Sequence, residues 1–569
     1  MSPATVTIAS GAKWQDVAAD RQRHRDATIA EIRPPVPELR PEEIPLNTTE
    51  VPKKLLTEEE IKITSTDVED LINKITTGEW SSTAVTNAFL RRAGLAQRLT
   101  NCITELLPKR ALDRAAELDQ YLATHKKPIG PLHGIPISVK EHNGIKGEDV
   151  NAGYVSWVGK VSEEDALIVQ YLWKAGAIPY ARTTQPQTLM QVETITNLYG
   201  TTVNPFNTTL SAGGSTGGEG ALIGLRGSIL GIGSDIGGSI RVPAANNGIF
   251  GFKPTTMRLP NAGWTAAMAG AEAILGTTGP LSTSLEGSRL FTKSIIDQKP
   301  WLEQPNLIAL DWRDEAAYYP DRKLRVGVIY NDNVVRPHPP ILRAMNELVA
   351  KLKNSPNIEV VDWKPWKHDL AWEIIAKLYF CDGGAENKAA VEASGEPWTP
   401  LAKFILHENP HVREHSIATL WDAVCERDSY RTKYARLWNE TAKSSPDGRP
   451  VDVILCPAGP GVAPKHGTSR YWGYTSQWNL LDYPAIVFPA NDAVGDPARE
   501  KPFDYDEGYT PLSESDKYFY DLWKQYGAEG YKDAPISLQL VARRFDDEKL
   551  FRATQILLEE AGLPAAVPA

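Results

Sequence analysis

Hydrophobic residues along this chain recur with two different periods, and the alternation between them predicts the fold. Behind the cap Ser65-Thr66-Asp67, the residues Val68, Leu71, Ile72 and Ile75 fall on one face of a helix, and the pattern predicts a pair of helices joined at Gly78. Short apolar runs follow, each closed by turn residues: ITELL, GIPISVK, AIPYAR, ILGIGSD and GIFGFKPT. Runs of that length predict strands, and the longer stretch EEDALIVQYLWKAG among them predicts a helix. Beyond Pro300 the alternation resumes as LRVGVIY, the helical ILRAMNELVAKLKN and the strand-like IEVVDW. Residues 368–448 read as long helices rich in Trp, Arg and Glu, after which VDVILCPAGP, YPAIVFP and PISLQLV return as strands. Strands interleaved with helices predict an α/β protein: a single large mixed β-sheet core surrounded by α-helices, with the late strands rejoining the first sheet.

The segment 31–60 breaks this pattern, being rich in Pro and Glu without periodicity, and it predicts an extended arm over a packed helix. The chain therefore divides into residues 1–64, an N-terminal helix with an extended Pro-rich arm, and residues 65–569, one large body. Neither a tandem repeat nor a heptad run is present, which removes solenoids and coiled coils from consideration. At 42% hydrophobic and 23% charged residues the composition is that of a soluble globular protein. A net charge of −10 gives no electrostatic basis for binding nucleic acid. Four widely spaced cysteines without a CxxC pair argue against a disulfide framework or a zinc site and fit a cytoplasmic location. No basic segment leads into a long apolar one, and no run approaches a membrane span, so neither secretion nor a membrane anchor is expected.

One stretch, Ser211 to Thr255, stands apart: SAGGSTGGEGALIGLRGSILGIGSDIGGSIRVPAANNGIFGFKPT. Its glycines gather around two hydroxyls, Ser215 in GGSTGG and Ser239 in DIGGSIR. Glycine admits backbone conformations closed to other residues and lets N–H groups approach a ligand. Taken alone, each cluster also reads as a plain glycine-rich turn. The GxxxxGK[ST] order of a phosphate loop is missing, and Ser239 does not sit in a GxSxG elbow, so neither a nucleotide site nor an α/β-hydrolase fits.

The run GGSTGGEGALIG…GSDIGGSIRVPA…GFKPT, with PLHGIPISVKE upstream, resembles the amidase signature family, in the branch of fungal acetamidases and general amidases. Weaker matches extend the resemblance almost end to end, and fatty acid amide hydrolases share the same signature. The resemblance implies that 65–569 is an amidase signature catalytic domain hydrolysing carboxylic acid amides to carboxylate and ammonia or amine. It implies Ser239 as nucleophile and acyl carrier, Ser215 after a cis peptide bond as proton relay, and Lys140 as base. A lysine of ordinary pKa ~10.4 serves as a neutral base only if burial depresses it, which the apolar GIPISV before Lys140 favours. Backbone N–H groups of Ile236, Gly237, Gly238 and Ser239 are the expected oxyanion hole. Leu189, Met190, Ser215 and Thr216 are the expected substrate-binding residues, and neither metal nor cofactor is called for. Asp235 and Arg241 are expected to form a structural ion pair or turn cap, and none of the ten histidines is assigned a role. Two departures from the family pattern, Asn246-Asn247 after the nucleophile segment and Thr216 in place of a second Ser, bear on pocket shape. The expected partner is a small-molecule amide, with a homodimer left open. Acyl transfer, an amidotransferase role, and carbamate or ester hydrolysis use the same triad, whereas a non-catalytic binding protein has no need of all three side chains.

Overall fold

The computed structural model describes residues 13–319, 322–500 and 508–568, so residues 1–12 of the N-terminal stretch lie outside the described residues. The strands are β1 (Ile103–Leu106), β2 (Pro136–Lys140), β3 (Ile178–Thr183), β4 (Ile195–Thr196), β5 (Gly200–Thr201), β6 (Leu230–Asp235), β7 (Phe250–Lys253), β8 (Thr277–Ser282), β9 (Leu324–Val328), β10 (Ile358–Asp362), β11 (Val453–Pro457), β12 (Ala485–Ala493) and β13 (Pro535–Val541). Eleven of them form one mixed sheet in the order β1-β3-β2-β6-β8-β7-β12-β13-β11-β9-β10, and β4 and β5 pair separately. The late strands join the first sheet as the sequence pattern predicts.

What positions the site is the parallel trio β3-β2-β6, in which Lys140 lies opposite Thr183 and Val139 opposite Ile232. All five residues of β2 and all six of β6 are buried, the near-continuous burial of a strand covered on both faces. Because β2 and β6 run the same way, their carboxyl ends open onto one crevice, which is where open α/β sheets place their ligands. Lys140 closes β2, and Asp235 closes β6 just ahead of the GGS turn.

Helices cover the sheet. The predicted pair is Val68–Thr76 and Ser82–Thr100, joined through Gly78 at φ +80°, with Val68, Leu71 and Ile75 buried. N-terminal to it, a helix spans Trp14–Ala30, and residues 31–50 are non-helical except for the short turn Pro41–Glu43. The extended reading of 31–60 is corrected at its end, where Val51–Leu55 and Glu58–Thr64 are helical. The second of these opens on a capping box in which Thr57 and Glu60 satisfy each other's backbone N–H groups, a local signal that outweighs the weak periodicity. Ile32, Val36, Val51, Leu56 and Ile63 join the same buried cluster as Ile103, Ile137 and Ile178 of the sheet. Aromatic residues of the 368–448 region, Tyr430, Tyr434 and Trp438, pack into a second cluster with Ile454 and Trp478. No described helix is long and apolar enough to cross a membrane.

Candidate active site

After Asp235 the chain bends through Ile236, Gly237 and Gly238 to Ser239, and the helix Arg241–Asn246 follows. Gly238 has φ +134°, and a Cβ there would lie 2.3 Å from Thr475 Oγ1, so only glycine fits. The Asp235 carboxylate organises this turn from beneath. It accepts from the N–H groups of Gly238 (2.8 Å) and Ile240 (3.1 Å), from Asn479 Nδ2 (2.9 Å), and from Arg241 through Nε (3.1 Å) and Nη2 (3.0 Å). Burial opposes ionisation of Asp235, but the Arg241 guanidinium beside it holds the carboxyl well below the usual carboxylate range. Arg241 in turn donates to Thr475 O (2.9 Å), Gln539 Oε1 (3.2 Å) and Asn479 Oδ1 (2.6 Å). The expected ion pair is therefore present, fully buried, and it braces the turn from the C-terminal half of the chain. Arg241→Met strands the Asp235 charge, and a loss of about 3–5 kcal/mol is expected, read as a clear drop in thermal midpoint. A midpoint equal to that of the parent protein would refute this bracing role.

Lys140 is wholly buried, with Nζ 2.6 Å from Ser215 Oγ and 3.0 Å from Ser234 Oγ. Burial pulls its ammonium down to about 7, although Asp235 and Glu219 pull the other way. Glu219 is also buried, accepts from Thr183 Oγ1 (2.8 Å) and from Ser138 Oγ, and is pushed up to about 8 by desolvation. The peptide bond Gly214–Ser215 is cis. Gly214 packs so closely on the backbone of Glu193 that a Cβ would lie 2.6 Å from its N and O.

Ser215 and Ser239 line one cavity of about 270 Å³. No hydrogen bond joins their side chains among the described residues, and the two glycine turns are tied instead by Thr216 N–H donating to Ser239 O at 3.2 Å. Of the four expected oxyanion donors, Gly238 N–H is turned onto Asp235, which leaves Ile236, Gly237 and Ser239. Leu189 and Met190 line the cavity, with Leu189 at φ +61° directly after Thr188 at φ +68°. Thr216 does not line it, because its hydroxyl is directed at Ser234 O (3.3 Å). Asn247 donates to Ala212 O and Pro243 O, both at 2.8 Å, so this departure from the family pattern braces the first glycine turn.

Four residues at the site are given no role in the sequence reading. Ser234, the second neighbour of Lys140, is a polar residue in the buried strand β6, and that mismatch is the signal that finds it. His142 and Trp264 line the cavity with ring centroids 5.0 Å apart. Tyr379 donates from its hydroxyl to Ile236 O at 2.9 Å and comes from a distant helix that no local pattern connects to the site.

A family model described as Amidase matches residues 84–551. A protein of Schizosaccharomyces pombe named among the amidases is 44% identical over 543 residues, 95% of this chain and 98% of the relative. An acetamidase of Emericella nidulans is 39% identical over 559 residues, 96% of this chain and 98% of the relative. A solved fatty acid amide hydrolase superposes with a TM-score of 0.89 at 35% identity, covering 97% of this chain and 96% of that one. The mixed sheet makes this an α/β protein, and the family match with its amidase relatives makes it an enzyme that hydrolyses amide bonds. Within that class the chain belongs to the amidase family, the amidase signature enzymes.

Proposed function

We propose that the chain hydrolyses small-molecule carboxylic amides through an acyl-enzyme on Ser239, with Ser215 as proton relay and Lys140 as base. Neutral Lys140 takes the Ser215 proton while Ser215 takes that of Ser239, and Ser239 Oγ attacks the carbonyl carbon. The developing oxyanion is held by the N–H groups of Ile236, Gly237 and Ser239, the three that Asp235 leaves free, while Asp235 fixes the turn through Gly238. Ser215 then protonates the departing nitrogen, the C–N bond breaks, and water cleaves the resulting ester by the same proton path in reverse. The observation that carries this reading is the 2.6 Å contact between Ser215 and a fully buried lysine whose pKa is drawn down to about 7.

A fluorophosphonate probe followed by peptide mass spectrometry tests it. A covalent adduct is expected on Ser239, absent from Ser239→Ala and formed much more slowly by Lys140→Ala. An adduct on another residue, or none, would sink the assignment.

A further inference from the structure

Ser239 stands at the junction of two unequal spaces. The larger, about 270 Å³, is bounded by Ser215, His142, Thr188, Trp264, Ala266 and Ile274 among others. The smaller, about 10 Å³, lies between Gly237, Val192, Trp472 and Tyr379. Leu189, Met190, Ile236, Ser239 and Tyr379 border both, but Ser215 borders only the larger. A space near 10 Å³ holds roughly one water-sized group.

We propose that the small arm receives the acyl group and the large arm the amine, so that the preferred substrates are N-substituted amides of very short acids, with a hydrogen-bond acceptor on the amine side. The assignment rests on the reading of Ser215 as the group that hands its proton to the departing nitrogen. Once Ser239 Oγ bonds the carbonyl carbon, the nitrogen must lie on the Ser215 side, which is the large arm. The acyl substituent is left with the other direction, past Gly237.

That direction is closed by fitted contacts. Tyr379 is pinned by its bond to Ile236 O, and Trp472 is held edge-on against Trp372 at 5.0 Å. A Cβ on Gly237 would already lie 2.6 Å from Tyr379 Oη and 3.3 Å from Trp472 Nε1, so the wall touches the turn itself. Acyl chains much beyond acetyl meet rings that are buried and packed from behind.

The large arm carries the opposite signature. Thr188 Oγ1 and Trp264 Nε1, on residues that line this arm, are buried without a protein partner. Buried polar groups are hydrogen-bonded as a rule, and an indole N–H only donates, so an acceptor on the bound amine completes it. Around these groups the lining is apolar, from Ala266, Ala271, Ile274 and Leu275, which suits an aromatic or aliphatic amine body.

Two kcat/KM series read the asymmetry. With p-nitroaniline as the fixed leaving group, lengthening acetyl to hexanoyl should lower kcat/KM by about a hundredfold or more, since a single misfitting methylene is worth about tenfold or more. With acetyl fixed, passing from acetamide to acetanilide should hold or raise kcat/KM. Trp472→Ala should raise the hexanoyl-to-acetyl ratio by about tenfold or more. Ala266→Leu should depress acetanilide more than acetamide and so lower the ratio of their kcat/KM values, and it decides the matter if Trp472→Ala does not fold. Trp264→Phe should lower 4-methoxyacetanilide relative to acetanilide by about two- to tenfold, the worth of one hydrogen bond. A parent enzyme that prefers hexanoyl to acetyl, or amine-side preferences unmoved by both Ala266→Leu and Trp264→Phe, would overturn the assignment. If Ser239 takes the fluorophosphonate and long acyl chains still win, only the arms are misassigned. If Ser239 takes no label, the catalytic reading fails and this inference falls with it.

Discussion

Ser239→Ala is expected to lower kcat for amide hydrolysis by about four orders of magnitude or more, because no covalent route remains once the acyl carrier is gone. The loss should be purely chemical. Ser239 is 6% exposed, and its structural tie to the neighbouring turn runs through its backbone carbonyl, which accepts from Thr216 N–H and survives the substitution. Asp235 and Arg241, which hold the turn, are untouched. The variant should therefore match the parent in circular dichroism and thermal midpoint while losing turnover. A folded variant with near-parental kcat would place the nucleophile elsewhere.

The second large effect concerns Lys140. Lys140→Ala should reduce amide turnover by about 10²- to 10⁴-fold, the usual worth of general base catalysis, and should harm activated esters less because their leaving groups need less protonation. In the parent enzyme kcat/KM should climb as pH rises through about 7 and level off above it, because burial lowers the ammonium to about 7 and the neutral amine is the working form. The same depression sets a stability trend. The folded pKa lies below the unfolded value of ~10.4, so between these two the unfolded chain binds the proton more readily. The penalty for burying the ammonium is thus complete below pH 7, shrinks as pH rises towards ~10.4, and is gone above it. Lys140→Met, close in volume, should gain most over the parent in acid and lose that advantage in alkali, as followed by urea unfolding across pH. A flat difference, together with an unchanged rate profile for Lys140→Ala, would assign the base to another group.

How far the site was readable follows from where each part lies in the chain. Lys140, Ser215 and Ser239 sit in compact motifs, because one strand end and two glycine turns need particular residues at fixed local positions. The mixed sheet was legible from the alternation of short apolar runs with helical ones, including the return of the late strands. The helices at Val51–Leu55 and Glu58–Thr64 were hidden because proline content masks a capping box of only four residues. Tyr379 and Trp472 left no trace, since a ring that walls a cavity from a distant helix looks in sequence like any core aromatic. The engagement of Gly238 N–H by Asp235 was equally invisible, because spacing shows which amides lie in a turn and not which way each points. His142 was given no role along with the other histidines, because nothing in the local sequence registers a lone imidazole beside a cavity.

The strand order also sets a timetable for biosynthesis. Strand β7 ends at Lys253 and its outer neighbour β12 begins at Ala485, so roughly 230 residues must be made before that edge is paired. At about 5–20 residues per second the wait is on the order of ten to fifty seconds, during which an apolar half-sheet stands open and invites chaperones or aggregation. The bracing of the turn that bears Ser239 is delayed as well, since Arg241 acquires Asn479 and Gln539 only after those residues have left the ribosome. Every side chain of the proposed triad is thus made well before the contacts that brace its turn.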